Sequence, residues 1–532
     1  MKEPLADFER SACGGLGLVA AVWLPYSWHM APVSLRILST LLVALLGFAG
    51  CRSSYPPELP REFRAAWIAT VDNIDWPTAR GLTPDSQRVE LIALLDRAVD
   101  LNLNAVILQV RPAADAFYYS ELEPWSEYLT GEMGRAPDPF YDPLEFAVEE
   151  AHARGLELHA WFNPFRAFHP SATGPISSDH ISKTRPELVK KYGEQLWLDP
   201  GEAGAVAHSL SVIMDVVRRY DIDGIHFDDY FYPYPIEVED GIDLDFPDSL
   251  SWARAAGSGT WFSKSDWRRS NVDTFVEQVF SSVKTEKAWV KVGVAPFGIW
   301  RPGHPPSVRG FDAYEKLYAD SRKWLLEGWV DYWTPQLYWP LGSEGQPFAD
   351  LLDWWVDQNP RGRHVWPGLF TSRTFAEGSR HWESREILDQ VQTTRSRHGA
   401  TGNVHFSMKS LTPEYGDMGA RLVETLYAQP ALVPPSPWLG SDRPDAPVLN
   451  YWTVGDDSVV VAFELCGNLA AQRAIVQTLS DSGSETKIVP AGSTENCGTV
   501  EIPLSTRTRK VAVSLVSRAG IQSKVSMVEI GK

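Results

Sequence analysis

The sequence predicts a (β/α)8 barrel of the TIM type followed by a small C-terminal β-sandwich. Three observations carry this. Strand-like and helix-like segments alternate through residues 63–429, the βα rhythm of a parallel barrel. Residues 430–447 are Pro-rich, with Pro434-Pro435-Ser436-Pro437, and read as a linker. Residues 448–532 hold short alternating runs with turn residues between them, as in a sandwich of the fibronectin type III-like kind. A doubly wound open sheet is the alternative for the first part, but no Gly-rich phosphate fingerprint follows the first strand.

The strands are read from period-two alternation. They fall at Phe63–Thr70, Ala105–Arg111, Leu156–Asn163, Ile222–Asp228, Val290–Phe297, Val330–Trp339, His364–Phe370 and Asn403–Met408. The helices between them are Ser86–Asn102, Pro143–Arg154, Ala205–Tyr220, Trp267–Lys287, Asp312–Glu327, Phe348–Gln358, Ser384–His398 and Glu414–Tyr427. After the linker, strands are expected at Ser458–Phe463, Ala474–Leu479, Lys487–Val489, Thr499–Ile502 and Lys510–Leu515.

The N-terminus reads as an address. Leu35–Cys51 has a basic start, an apolar run and small residues before Cys51. The run is short for a membrane span and fits a signal peptide. Its Phe48-Ala49-Gly50-Cys51 end resembles a bacterial lipobox, which implies cleavage before Cys51 and lipidation of its thiol. Residues 1–29 carry Glu3, Asp7 and Glu9 ahead of Met30 and do not suit a signal n-region. They read as a mis-called extension, with 30–51 the signal peptide and 52–62 a tether. Arg52 after the acylated cysteine points to the outer membrane, facing the periplasm, in a host with two membranes. Cys466 and Cys497 are then left as a candidate disulfide or as two buried thiols.

The chain of 532 residues carries a net charge of −19, which argues against nucleic-acid partners and adhesion to anionic lipid. Its 22 Trp residues are many for a globular enzyme; Trp usually means core, but such an excess also suits sugar faces, which stack on flat rings. No metal site is expected: there is no His-Glu-x-x-His and no zinc-spaced Cys pair. No cofactor motif occurs, and no Gly-x-Ser-x-Gly elbow supports a serine nucleophile.

Catalytic groups of such barrels gather at the C-terminal ends of the strands. The most telling segment is Ile222-Asp223-Gly224-Ile225-His226-Phe227-Asp228-Asp229-Tyr230. Parity puts His226, Asp228 and Tyr230 on one face. Two adjacent carboxylates beside rings fit acid-catalysed attack on a sugar polymer; the competing reading is a helix cap with a surface salt bridge. The same parity groups Gln109 with Arg111, His159 with Trp161 and Asn163, and Thr334 with Gln336 and Tyr338. Loop residues Asp72, Asp75, Trp76, Phe165, Phe168, Tyr232, Tyr234, Trp300 and Trp339 follow the strands. The expected glycan contacts are Asp72, Trp76, Gln109, Arg111, Asn163, His226, Tyr230, Tyr232, Gln336, Tyr338 and Trp339, with Asp228 and Asp229 catalytic.

Arg64-Ala65-Ala66-Trp67-Ile68-Ala69-Thr70 with Asp75-Trp76-Pro77 resembles the opening of the bacterial glycosyl-hydrolase-like ten family. Val110-Arg111-Pro112, Ala160-Trp161-Phe162-Asn163-Pro164, Asp223–Tyr230 and Pro335-Gln336-Leu337-Tyr338-Trp339-Pro340 extend the resemblance in order. It implies a glycosidase barrel. With the lipobox and the C-terminal domain, the chain looks like the divisome-associated lipoprotein hydrolases of this family. That implies peptidoglycan strands without stem peptides as substrate, and cell-division or envelope proteins as partners. The segment ending in Asp228 is also similar to chitinase-type barrels, with Tyr230 where their acid would stand. The adjacent aspartates look like those of hexosaminidases that use the substrate's acetamide as nucleophile. That resemblance implies that Asp228 orients the acetamide and Asp229 protonates the leaving oxygen. Asp72 or Asp75 could instead supply a conventional second carboxylate, and a non-catalytic glycan-binding lipoprotein or a glycosidase for another exopolysaccharide are the other readings.

Overall fold

The structure, a computed structural model, describes residues 55–239, 241–257, 259, 263–454, 458–464, 471–480, 483–491, 499–505 and 508–530. The signal segment, Cys51, Cys466 and Cys497 lie outside the described residues. Pro56–Lys532 form one compact unit.

The main sheet is parallel. Its strands in chain order are Phe63–Ile68, Ala105–Arg111, Glu157–Phe162, Gly224–Phe227, Lys291–Val294, Tyr332–Trp333, His364–Val365, Gly368–Leu369 and Gly402–His405. Gly402–His405 pairs with Phe63–Ile68, and Gly368–Leu369 pairs with Gly402–His405. The two edge strands, His364–Val365 and Gly368–Leu369, are therefore pieces of one run. Pro367 between them has no N–H to give to the ladder. The sheet curls until both edges meet in this segment, as in a TIM-barrel-like fold.

Helices follow the strands much as the periodicity predicts. Pro84–Asp100 is capped by Thr83, and Pro143–Ala153 by Asp142, each with Pro in its first turn, which suits a helix start. The single helix expected over Asp312–Glu327 is two, Ala313–Lys316 and Ser321–Glu327. Asp312 and Asp320 each cap one, and Tyr318 between them has φ of 53°, a conformation no helix interior tolerates.

Alternation along the strands separates two apolar layers. Phe63, Ala65, Trp67, Ile107, Trp161, Tyr332 and Trp366 pack inside the curled sheet. Ala66, Ile68, Val106, Leu108, Ala160, Phe227 and Val292 pack outside it, under the helices.

Residues after the linker form two antiparallel sheets. One orders Val448–Val454, Ser458–Glu464 and Thr499–Ser505; the other orders Gly483–Pro490, Ala471–Ser480, Thr508–Ser517 and Ser526–Glu529. Val461 and Phe463 of the first share an apolar cluster with Val476, Val511, Val513 and Leu515 of the second. These sheets lie against the N-terminal ends of the main strands. Arg473 donates to the carbonyls of Gly155 and Leu156 at 2.9 and 3.1 Å. Gln472 donates to Asp223 at 2.9 Å. The segment before the first strand does not hang free as a tether: Arg61 donates to Val433 O, Gly520 O and Gln522. Nor is the Pro-rich segment loose. Trp438 donates to Asp331 at 2.9 Å, and Ser436 shares a hydrogen bond with His364.

Candidate active site

At the opposite, C-terminal ends of the strands lies a cleft of about 590 Å³, within the roughly 300–1,000 Å³ common for small-ligand sites. Trp67 and Trp161 rise from the sheet interior, and Phe297, Trp339, Phe370 and Phe406 come from the loops. Tyr338 stacks on Phe370 with ring centroids 4.6 Å apart. Rings of this kind offer flat apolar faces whose edges leave polar groups free to orient a ligand.

Asp228 and Asp229 follow directly on the fourth strand, Gly224–Phe227. Their surroundings differ. Asp228 accepts from Asn163 Nδ2 at 2.6 Å and from the Tyr230 backbone N–H at 3.3 Å. Asn163 is held in turn by Gln109 Nε2 at 2.7 Å. Gln109 Oε1 accepts the backbone N–H groups of Thr70 and Val71, both at 2.9 Å. Three strand ends thus fix the orientation of one carboxylate. Burial raises the Asp228 pKa, while the charge of Arg166 and the Asn163 hydrogen bond oppose the rise.

Asp229 accepts from the Tyr234 hydroxyl. Its pKa is pushed up to about 7, first by burial and next by the charge of Asp228; Tyr234 and Gln336 only partly offset this. Adjacent carboxylates titrate as a pair, and a proton shared between them settles on the less supported one. Here that is Asp229. One group is a fixed carboxylate and the other holds a proton near neutral pH, the division of labour that acid catalysis needs.

Beneath the cleft a directional chain fills the interior. Trp67 Nε1 donates to His226 Nε2 at 3.0 Å, so His226 carries its proton on Nδ1 and donates to the Tyr332 hydroxyl at 2.9 Å. Tyr332 then donates to His159 Nδ1 at 2.8 Å, and His159 Nε2 to Glu157 at 3.1 Å. Lys291 closes the chain on Glu157 at 3.0 Å. Burial holds the pKa of His226 well below its usual value, so its protonation does not contribute to chemistry. Gly293 leaves the room this chain needs, because a Cβ there would run into the Tyr332 ring.

The structure brings Asp72, Gln109, Asp228, Asp229, Tyr230, Gln336, Tyr338 and Trp339 to the cleft. It does not bring the other expected contacts there. Asn163 and His226 are fully buried one layer down, as described. Arg111 is buried in an ion pair with Glu123 at 2.5 Å, with His208 on the same carboxylate at 2.9 Å. The register of the second and third strands shifts between Gln109 and Arg111; a bulge of this sort re-aims the next side chain. Trp76 donates to Gln87 O at 2.9 Å and packs on Phe117. Tyr232 packs between Phe246 and Tyr318. Asp75, the alternative carboxylate, accepts from Ala69 N, Ser407 Oγ and Lys409 N at 2.6 to 2.8 Å, which ties the first strand's loop to the last. Trp161, grouped by parity with Asn163, and Tyr234, a loop aromatic after the fourth strand, also line the cleft, as do Trp67, Arg166, His169, Gln195, Phe370 and Phe406, to which the sequence does not point as contacts.

Trp76 and Trp339 should therefore separate. Trp76→Ala is expected to cost about 3–5 kcal/mol of stability, as for other buried Trp residues, read by denaturant unfolding. Trp339→Ala should weaken glycan binding with little change in that unfolding curve. Equal glycan affinity in Trp339→Ala and wild type would remove Trp339 from the binding surface.

A proton donor beside an oriented carboxylate, in an aromatic cleft, can break a glycosidic bond, and the class this defines is glycoside hydrolase. The chain belongs to the family described as glycosyl hydrolase-like 10, whose model matches residues 62–383. It is similar to the glycosyl hydrolase YngK of Bacillus subtilis, 39% identical over 78% of this chain and 81% of that one. It is also similar to the glycosyl hydrolase DigH of Escherichia coli, 34% identical over 57% of this chain and 72% of that one. Among solved structures, it has a distant likeness to the PgaB (BpsB) glycoside hydrolase domain from Bordetella bronchiseptica. There the identity is 16%, the TM-score 0.44, and the coverage 67% of this chain and 97% of that one.

Proposed function

We propose that this glycoside hydrolase cuts N-acetylated cell-wall glycan, peptidoglycan strands without stem peptides, while anchored to the envelope through a lipid on Cys51. The two C-terminal sheets are read as a fibronectin type III-like sandwich that seals the far end of the barrel. The observation that carries the chemistry is the unequal support of Asp228 and Asp229. Asp228, held between Asn163 and the Tyr230 N–H, is suited to accept the N–H of a 2-acetamido group. It would thereby aim the acetamide oxygen at the anomeric carbon. Asp229 donates its proton to the leaving oxygen and later takes one from water. The substrate supplies the nucleophile, a recognised departure from the two-separated-carboxylates scheme. Aromatic walls give the sugar rings a place to stack.

A pH profile tests the assignment. Asp229 acts in its protonated form, and its pKa lies at about 7. The rate should therefore fall as pH rises through about 7, and fall again in acid once Asp228, which must be ionised, takes up a proton. Asp229→Asn should erase the alkaline limb from whatever activity is left. An unchanged alkaline limb in that variant would assign the titration to another group. For the anchor, Cys51→Ala should leave an unprocessed or soluble form; unchanged membrane partition would sink that part.

A further inference from the structure

One wall of the cleft carries an unexplained charge. The hairpin strands Arg166–Phe168 and Gln195–Leu198 pair antiparallel, Arg166 opposite Trp197. They place Arg166, His169 and Gln195 along the cleft beside Asp228. Among the described residues that line it, Arg166 is the one with a fixed positive charge. It is only 4% exposed, and its guanidinium lies 4.5 Å from the centre of the Tyr230 ring. No carboxylate or carbonyl among the described residues takes its N–H groups in a hydrogen bond or ion pair. Asp228 feels its charge without forming a pair. A guanidinium has five donors in a planar fork, and the Arg166 nitrogens are not among the buried unpartnered atoms, so the fork opens to the cleft rather than being sealed in the core.

His169 adds a neutral donor. Its Nδ1 accepts from the Ser171 N–H at 3.2 Å, so the ring proton sits on Nε2, which has no partner among the described residues. Burial and the charge of Arg166 push the pKa of His169 down to about 4, so it stays neutral where the enzyme works. Asp72, the other carboxylate at this corner, has its side chain 57% exposed and lies 3.9 Å from Arg80. It is screened by water and by that pairing.

We propose that Arg166 and His169 form a subsite for a carboxylate carried by the sugar substrate. The proposal rests on the N-acetylated glycan reading above and deepens it. Neutral sugar hydroxyls do not call for a fixed cation in a nearly closed place; a carboxylate does, because the Arg fork matches its two oxygens. Cell-wall sugars with an acid side arm present such a group only when no peptide is coupled to it. Amide formation removes the charge and adds bulk, so this pair would read the free acid directly. A bound carboxylate would also add negative charge beside Asp228 and Asp229, which favours keeping the proton on Asp229.

Binding calorimetry on the full chain tests this with N-acetylmuramic acid and its methylamide. Wild type should bind the acid at least about tenfold tighter than the amide. Arg166→Gln should bring the ratio close to one. Arg166→Lys, which keeps charge but loses the fork, should fall between. Equal binding of acid and amide by wild type, or an intact ratio in Arg166→Gln, would overturn the proposal. An acid preference in a protein that cuts no N-acetylated glycan would refute the substrate reading and leave the subsite standing. Cleavage without acid preference would do the reverse.

Discussion

Asp229→Asn is expected to lower turnover of natural glycan by about 10²–10⁴-fold, the usual share of a general acid. The amide keeps the size of the acid and can still meet the Tyr234 hydroxyl, so folding and glycan binding should persist. What it lacks is a proton to give. A substrate whose leaving group departs unaided does not need that proton. An aryl N-acetylglucosaminide with a strongly acidic phenol should therefore recover most of the lost rate. Steady-state kinetics on both substrates reads this directly. If the variant is equally slow on both, Asp229 does something other than protonate the leaving oxygen.

Asp228→Asn should be as damaging, by about 10²–10³-fold on the scale of a lost transition-state contact, and should not be rescued. Its role precedes leaving-group departure. The carboxylate sits at the end of the Thr70–Gln109–Asn163 relay, so its position survives substitution while its charge does not. An Asn there either turns its NH2 against the Asn163 NH2 or flips, and in both cases loses an anionic acceptor for the acetamide. The activated aryl substrate should stay slow. Rescue equal to that of Asp229→Asn would mean the two residues share one task.

Much of this site was legible because it lies on strands. Period two separates the inner layer of Trp67, Trp161 and Tyr332 from the outer layer of Ile68, Leu108 and Phe227. It also places Asp228 and Gln336 at strand ends. Parity gives the face and not the height. Asn163 and His226 face inward as expected, yet lie a layer below the cleft and act through Asp228 and Trp67. Arg111 escapes parity altogether, since the register shift after Gln109 turns it toward Glu123.

Loops have no period to read. Trp76 and Tyr232 follow strand ends just as Trp339 does, but their chains fold back into the core. Tyr234, two residues past Tyr232, reaches Asp229 instead. Arg166 and His169 were missed because the loop after the third strand forms a hairpin whose pairing with Gln195–Leu198 is a contact across some thirty residues. The signal that could have flagged them is a lone Arg within the aromatic run Phe165-Arg166-Ala167-Phe168. At the other end of the chain, Val448–Val454 and Ser526–Glu529 complete the two C-terminal sheets beyond the runs that alternation marked.

We assign to Asp228 and Asp229 the hydrolysis of N-acetylated glycan strands in this cleft. Mass spectrometry of purified strands without stem peptides, digested by wild type and by the double variant Asp228→Asn, Asp229→Asn, tests it most directly. Wild type should yield shorter chains, each new reducing end carrying the mass of one added water, and the double variant should yield none. The same fragments at a comparable rate from the double variant would place the chemistry elsewhere, and intact strands with both proteins would contradict the substrate.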